Sequence, residues 1–135
     1  EIVNYFMKTQ RTIKFRVWDE KYKCWVKNSF LLYPEDEIKI QGRILTQFTG
    51  LLDKNNKEIY EGDIVKFFAS NGFGQPMESW GDIILDEYYW KVNNIHYKWP
   101  NPPSNDFDSV RFYRNWNRKI IGNIFENPEL LNEKI

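Results

Sequence analysis

An alternation of apolar and polar residues near the N-terminus predicts a strand that is buried on one side. Between positions 12 and 18, one face carries Ile13, Phe15 and Val17, and the other carries Lys14, Arg16 and Trp18. Side chains alternate between the two faces of a strand, so this pattern indicates a half-buried strand. Residues 19–23 predict a turn, and residues 24–26 return as the partner strand of a hairpin. We expect Trp18 and Trp25 to be core residues or cross-strand partners.

A second region, residues 58–68, predicts a turn that leads directly into a strand. Gly62 can adopt the positive φ that a tight turn needs, and Asp63 can accept a hydrogen bond from the nearby backbone. Residues 64–68 are β-branched and aromatic with one charge, which is typical of a strand. Just upstream, residues 53–56 predict a turn in which Asn56 takes the left-handed conformation.

Shorter apolar runs predict the remaining strands, at residues 38–40, 44–48, 83–90, 92–97 and 119–125. Gly81 and Asp82 are expected to introduce the strand that begins at residue 83. Residues 69–80 and 98–109 are rich in turn formers and predict two long loops. After the last strand, Asn127 can cap a helical turn, Pro128 suits its first position, and Glu129 complements its dipole.

The succession of turn, strand, loop and strand is typical of small SH3-like barrels. We therefore predict an all-β, mainly β fold: one SH3-like barrel or roll with an N-terminal hairpin and a short C-terminal helical turn. The chain has 135 residues, enough for a single hydrophobic core. We interpret Met7 as the natural start, so that residues 1–6 are upstream or leader sequence and residues 7–135 form one domain.

Composition and charge restrict the classes of function. The 19 basic residues equal the 19 acidic ones, so no global positive field attracts nucleic acid and any anion site must be local. The single cysteine, Cys24, and the single histidine, His96, do not make a zinc site, and neither a metal nor a cofactor is expected. No membrane-spanning run or signal peptide is predicted, which favours an intracellular protein.

Three ordered segments of the chain carry a family resemblance. They comprise residues 13–19, then residues 47–55 with 58–65, and finally residues 121–131. Their structural positions include Trp18, Asp19, Gly50, Gly62, Asp63, Gly122, Asn127 and Pro128. In these segments the chain resembles the YopX family of phage and prophage proteins. The resemblance implies an SH3-like all-β roll encoded by a bacteriophage or by a prophage in a bacterial genome, and it implies no activity. We expect the protein to act in the cytoplasm of the bacterial host. Asn56 stands where the family usually has glycine, and asparagine tolerates the same backbone region.

Five acidic residues of these segments are candidates for acid–base chemistry or for a metal site: Asp19, Asp53, Glu58, Glu61 and Asp63. We favour a structural role, because each lies in a turn where carboxylates accept hydrogen bonds from backbone amides. Gly50 and Gly62 likewise indicate tight turns and not a phosphate cradle, since no helix begins after either one. Cys24 and His96 lie on different predicted strands, without a motif for nucleophilic catalysis.

Residues 111–119 combine four cations, three aromatic residues and two amides. The candidate binding residues of this segment are Arg111, Tyr113, Arg114, Trp116 and Arg118. Such a mixture can join phosphate contacts to base stacking on a β surface. The alternative interpretation is a strand with an outward basic face, whose long side chains cover apolar surface.

The leading functional hypothesis is a non-enzymatic binding module that recognises a protein, its own copies included, through an aromatic-rich surface. Exposed tyrosine, tryptophan and arginine anchor many protein interfaces, and the run at residues 88–90 adds to this surface. The alternative is a nucleic-acid accessory protein that uses residues 111–119. An enzyme is the least favoured hypothesis. Unpaired strand edges would allow copies to associate as an oligomer.

Overall fold

The computed structural model describes residues 12–27, 42–70, 76–98, 109–111 and 117–132. These residues form antiparallel strands in two sheets and one short 3₁₀ turn, so the all-β prediction is confirmed. The strands are β1 (Phe15–Asp19), β2 (Cys24–Trp25), β3 (Arg43–Leu52), β4 (Glu58–Tyr60), β5 (Asp63–Ser70), β6 (Pro76–Asp86), β7 (Tyr89–Tyr97), β8 (Ser109–Arg111) and β9 (Lys119–Asn123). The 3₁₀ turn spans Pro128–Leu131. In the part of the chain described, no helix is long and apolar enough to cross a membrane.

The first sheet has the strand order β2-β1-β3-β4 and contains the predicted N-terminal hairpin. Trp18 of β1 lies opposite Trp25 of β2, and their ring centroids are 5.1 Å apart. Phe125, in the C-terminal part of the chain, stacks its ring on that of Trp18 with a centroid distance of 5.5 Å. The prediction that the two tryptophans are cross-strand partners is therefore confirmed.

The turn between β4 and β5 follows the sequence prediction. Gly62 has a φ of 87°, and a Cβ at this position would lie 3.1 Å from Cε2 of Phe125. The backbone amide of Tyr60 donates to Oδ2 of Asp63 at 2.8 Å, which closes the turn. In the preceding turn Asn56 has a φ of 62°, the left-handed conformation that was expected there.

The second sheet has the strand order β8-β7-β6-β5-β9. Its inner face packs against β4 of the first sheet, and together they form the hydrophobic core. The fully buried members of this core are Ile59, Val65, Phe67, Ile83 and Val92.

The prediction of a loop at residues 69–80 is wrong for most of its length. β5 continues to Ser70 and β6 already begins at Pro76, while residues 71–75 lie outside the described residues. Gly81 does not precede a strand but lies within β6, where a Cβ would come within 2.4 Å of the carbonyl oxygen of Asn93. Glycine is needed here because β6 and β7 approach closely at an irregular register.

The predicted strand at residues 83–90 is in fact two strands of a hairpin. β6 ends at Asp86, and Glu87 and Tyr88 form the turn into β7. Glu87 adopts a φ of 50°. The turn was missed because it contains neither glycine nor asparagine, the residues that normally indicate a positive φ.

The C-terminal helical turn is confirmed, but its predicted cap is not. The side chain of Asn127 makes no capping hydrogen bond and instead accepts one from the amide of Asn123 at 3.3 Å. A Cβ on Gly122 would lie 2.6 Å from Oδ1 of Asn127, so glycine leaves room for this side chain. Nε1 of Trp80 donates to the carbonyl of Leu130 at 2.8 Å and fastens the turn to the second sheet.

Several predictions fall on residues that the structure does not describe. They concern the leader at residues 1–6, the strand at 38–40 and most of the loop at 98–109. They stay predictions, as does the assignment of residues 7–135 to one domain.

Candidate functional site

Two of the acidic candidates accept hydrogen bonds from backbone amides of turns, as expected. Oδ1 of Asp19 accepts from the amides of residues 21 and 22, each at 3.0 Å. Asp53 accepts from the amides of Asn55 at 2.8 Å, Lys57 at 2.9 Å and Ile120 at 3.2 Å. Burial acts to raise the pKa of Asp53, but these three amides outweigh it and hold the pKa below its usual range. Both carboxylates are thus engaged in stabilising turns.

Asp63 is buried and pairs with the half-buried Arg16, and this pair connects the two sheets. Its side chain is 2% exposed and forms an ion pair with the guanidinium of Arg16 on β1. The guanidinium carbon lies 4.1 Å from the ring centroid of Trp25 and 4.7 Å from that of Tyr60. The cation is therefore held between two aromatic rings, an arrangement that stabilises the junction of the sheets.

Glu58 bonds to side chains, not to backbone amides. Its carboxylate accepts from Nζ of Lys14 at 2.5 Å and from the hydroxyl of Tyr60 at 2.8 Å. Burial and the neighbouring Glu58 raise the pKa of Tyr60 to about 12. The Lys14 contact joins the residue before β1 to β4.

The two remaining candidates for covalent chemistry lie in different sheets. Cys24 is exposed at the end of β2, and His96 stacks on Trp80 in the second sheet with a centroid distance of 5.6 Å. Among the described residues there is no group of three or more histidine, cysteine, aspartate or glutamate side chains that could hold a metal ion.

The basic aromatic segment is described only in part. The backbone of Arg111 ends β8, whereas Tyr113, Arg114 and Trp116 lie outside the described residues. Arg118 is only 3% exposed, and burial lowers the pKa of its guanidinium while the charge of Asp53 opposes this effect. Burial of Arg118 corrects the prediction that it belongs to a binding surface. Nucleic-acid binding through the other residues stays a prediction.

Three exposed apolar or aromatic side chains lie at the turn between β6 and β7, on both faces of the hairpin, because Leu85 pairs with Trp90 and Tyr89 pairs with Asp86. Tyr88 is 92% exposed, Leu85 44% and Tyr89 37%, and we call these three residues the hairpin tip. Asp86 forms an ion pair with Lys91 at 2.9 Å at the base of the turn. Exposed aromatic side chains on a paired, two-stranded support are the kind of feature that anchors protein interfaces.

A cleft of about 440 Å³ lies between the start of β3, the β4–β5 turn and β6. Most of its lining residues are aliphatic or aromatic, and two residues with carboxyl groups, Glu61 and Asp82, are also among them. Burial raises the pKa of both groups. Asp82 was missed as a site residue because Gly81-Asp82 resembles a turn. The available signal was an aspartate directly before the apolar run 83–85.

Comparison with known proteins identifies the family. The all-β chain matches the family described as YopX protein over residues 32–132, and it therefore belongs to the YopX family. The N-terminal motif at residues 13–19 precedes the matched range. The chain is also similar to the crystal structure of protein EF1440 from Enterococcus faecalis, with a TM-score of 0.51 and 21% sequence identity. That match covers 90% of this chain and 99% of the other, and it shows a shared fold. No curated protein matches the chain.

Proposed function

We propose that this protein is a phage- or prophage-encoded, non-enzymatic module that binds a partner protein in the cytoplasm of the bacterial host. The observation that supports this function is the hairpin tip, where Tyr88 is 92% exposed in the turn of the β6–β7 hairpin. Tyrosine contributes a large contact area at a low cost in conformational entropy, which is why it is frequent in interfaces.

The charges beside the hairpin tip favour a protein over a nucleic acid. Asp86 and Glu87 directly precede Tyr88, and within the tip hairpin they are balanced only by Lys91, whose ammonium is paired with Asp86. Because Lys91 neutralises Asp86, the carboxylate of Glu87 leaves the tip with one negative charge, which repels phosphate groups. This charge suits a partner whose apolar pocket is bordered by lysine or arginine, so that Tyr88 fills the pocket and Glu87 contacts the cation.

The test compares Tyr88→Ala with Tyr22→Ala, because Tyr22 is 69% exposed in the turn of the other sheet. Proteins recovered from the bacterial host with the tagged wild-type chain are first identified. Each is then purified and titrated by calorimetry against the three forms. Tyr88→Ala should weaken binding at least about tenfold, the effect of removing an aromatic anchor, whereas Tyr22→Ala should not.

Self-association is measured in the same experiment by light scattering. A dimer that Tyr88→Ala dissociates would identify the partner as a second copy of the chain. Equal binding by all three forms would refute the assignment of the hairpin tip, and so would a complex formed only with DNA at low salt.

A further inference from the structure

The outer face of the second sheet carries an exposed phenylalanine among lysines. Phe67 of β5 is 2% exposed in the core, whereas Phe68 points to the opposite face and is 58% exposed. Directly opposed residues of a ladder share a face, so the register places Glu78 beside Phe68 and Lys119 beside Lys66 on this outer face. The end of the sheet where β6 begins thus presents a surface that we call the basic patch, which comprises Lys66, Phe68, Glu78, Lys98 and Lys119.

Within the basic patch, three lysines face a single glutamate. The carboxylate of Glu78 is shared by Nζ of Lys66 at 3.6 Å and Nζ of Lys98 at 3.5 Å. Lys119 is exposed and adds a third cation directly across the ladder from Lys66. Like charges at opposed positions destabilise a ladder, so an anionic group of a partner would offset this repulsion. The patch is therefore suited to an occupant that carries a carboxylate next to an apolar group.

The hairpin tip of the same chain has this character. Tyr88 is 92% exposed, and the adjacent Glu87 supplies the excess negative charge, because Lys91 neutralises Asp86. Two aromatic rings in contact are more favourable than their buried area alone indicates, and Phe68 offers such a ring to Tyr88. The lysines beside Phe68 provide the cations that the carboxylate of Glu87 requires.

The tip and the patch of one chain cannot meet. They lie at opposite ends of β6, where Glu78 is near the start of the strand and Asp86 is its last residue. The strand between these two residues spans about 26 Å. Because β6 is paired with a neighbouring strand on each side, it cannot fold back on itself. A contact between the tip and the patch must therefore join two copies of the chain.

We propose that the chain binds a second copy of itself, with the hairpin tip of one copy on the basic patch of the next, Tyr88 against Phe68 and Glu87 against Lys66 and Lys119. The inference rests on the proposed function, because it names the partner of the tip. The two contacting surfaces are different, so every dimer still presents one free tip and one free patch. The assembly therefore continues head to tail, as a ring where the rotation closes and as a longer chain where it does not.

The experiment measures the mass of the purified chain by light scattering over a series of concentrations. The wild-type mass should rise with concentration and pass that of a dimer. Tyr88→Ala and Phe68→Ala should each weaken self-association at least about tenfold, the effect of removing an aromatic anchor. Tyr22→Ala is the matched control, since Tyr22 is 69% exposed in the hairpin of the other sheet, and it should leave the masses unchanged. Thermal midpoints establish that the variants are folded.

Mixing the variants tests whether the tip and the patch bind each other. Tyr88→Ala keeps an intact patch and Phe68→Ala keeps an intact tip. At a concentration where neither variant associates alone, their equimolar mixture should show the mass of two chains and no more.

A charge exchange gives an independent test that leaves both aromatic rings in place. Glu87→Lys and Lys119→Glu should each weaken self-association at least about tenfold, because each brings like charges together in the contact. The two substitutions combined in one chain should restore part of the association, since the opposite charges then face each other again. Failure of the double variant to recover would contradict the pairing of tip and patch.

A wild-type mass that stays at one chain throughout the series would overturn the proposal, as would a mixture of variants that stays monomeric. If Phe68→Ala abolishes binding of a single-stranded oligothymidylate and leaves the scattering mass unchanged, the patch binds nucleic acid and the proposal fails. The proposed function is tested separately. A monomeric wild-type chain whose binding to a host protein is weakened by Tyr88→Ala would retain that function and refute only the second copy as the partner.

Discussion

Replacing Arg16 with methionine tests whether the ion pair between the sheets stabilises the fold. Methionine retains an apolar stem of similar length but removes the guanidinium and all its hydrogen-bond donors. The change leaves the carboxylate of Asp63, which is 2% exposed, without its cation. It also removes the charge that lies 4.1 Å and 4.7 Å from the ring centroids of Trp25 and Tyr60.

The magnitude follows from the burial of the two partners. Removing one partner of a buried ion pair costs about 3–5 kcal/mol. The Arg16 side chain is 26% exposed, so we take the lower end of that range. Loss of the cation–π contacts adds roughly 0.5–1 kcal/mol. Arg16→Met should therefore lower the free energy of unfolding by about 3–4 kcal/mol and the melting temperature by roughly 10–15 °C.

The assay is denaturant unfolding followed by tryptophan fluorescence, with Asp63→Asn completing a double-mutant cycle. The asparagine side chain would retain an acceptor for the amide of Tyr60 but carry no charge, so the double variant should be more stable than the sum of the single effects indicates. A coupling free energy of about 1–3 kcal/mol is expected. A single-variant effect below about 1 kcal/mol, or zero coupling, would refute the reasoning.

The pH dependence of the stability lost in Arg16→Met gives an independent check. Burial raises the pKa of Asp63 above the ordinary value of 3.8, and loss of the Arg16 charge raises it further. A carboxyl whose folded pKa lies above its unfolded pKa favours folding most when it is protonated. The deficit of Arg16→Met should therefore be largest near neutral pH and shrink as the pH falls toward 3.8. A deficit that grows on acidification would contradict this assignment.

Three further predictions, which use four substitutions, test the turns and the sheet by the same unfolding assay. Gly62→Ala should lower the free energy of unfolding more than Gly50→Ala does. Both glycines have a φ above 80°, but a Cβ would contact a neighbouring side chain, that of Phe125, only at Gly62. Equal losses of stability would show that the Phe125 ring moves away. Gly81→Ala should cost at least about 2 kcal/mol, since the new Cβ meets a backbone carbonyl; a near-neutral effect would exclude the close strand approach. Asp53 has a lowered pKa in the folded state, so its stabilisation is present above the ordinary pKa and lost as the pH falls through the lowered one. Asp53→Asn should therefore reduce the loss of stability in acid, and an unchanged acid profile would contradict this.

Local features of the sequence were sufficient to predict the hairpins that contain a turn-forming residue. Gly62 and Asn56 adopt positive φ where expected. The alternation predicted the strand β1 but not its burial, because Val17 and Trp18 are buried on opposite faces while Ile13 is 69% exposed. The β6–β7 turn could not be predicted in this way, because Glu87 takes a φ of 50° that its residue type does not indicate. Gly81 was predicted to precede a strand because glycine usually indicates a turn. In the structure glycine is required there by the close packing of two strands, and the sequence does not distinguish the two cases.

Local sequence patterns could not predict the contacts between distant parts of the chain. Arg16 and Asp63 are 47 positions apart, and each had a plausible local role in its own segment. The cleft is more distributed still, since β3, the β4–β5 turn, β6 and Phe125 all contribute to it. Burial raises the pKa of Glu61 and of Asp82, and this burial exists only after the sheets have packed.

The segments that carry the family resemblance have their polar groups largely engaged in holding the fold together. Asp19, Asp53 and Asp63 accept hydrogen bonds from turn amides, and Arg16 is enclosed by two rings. Such residues specify a scaffold and have little capacity left for a ligand. Glu61 differs from these residues, because it is among the residues that line the cleft. The hairpin tip lies outside these three segments, so the contacts that hold the segments together do not depend on it.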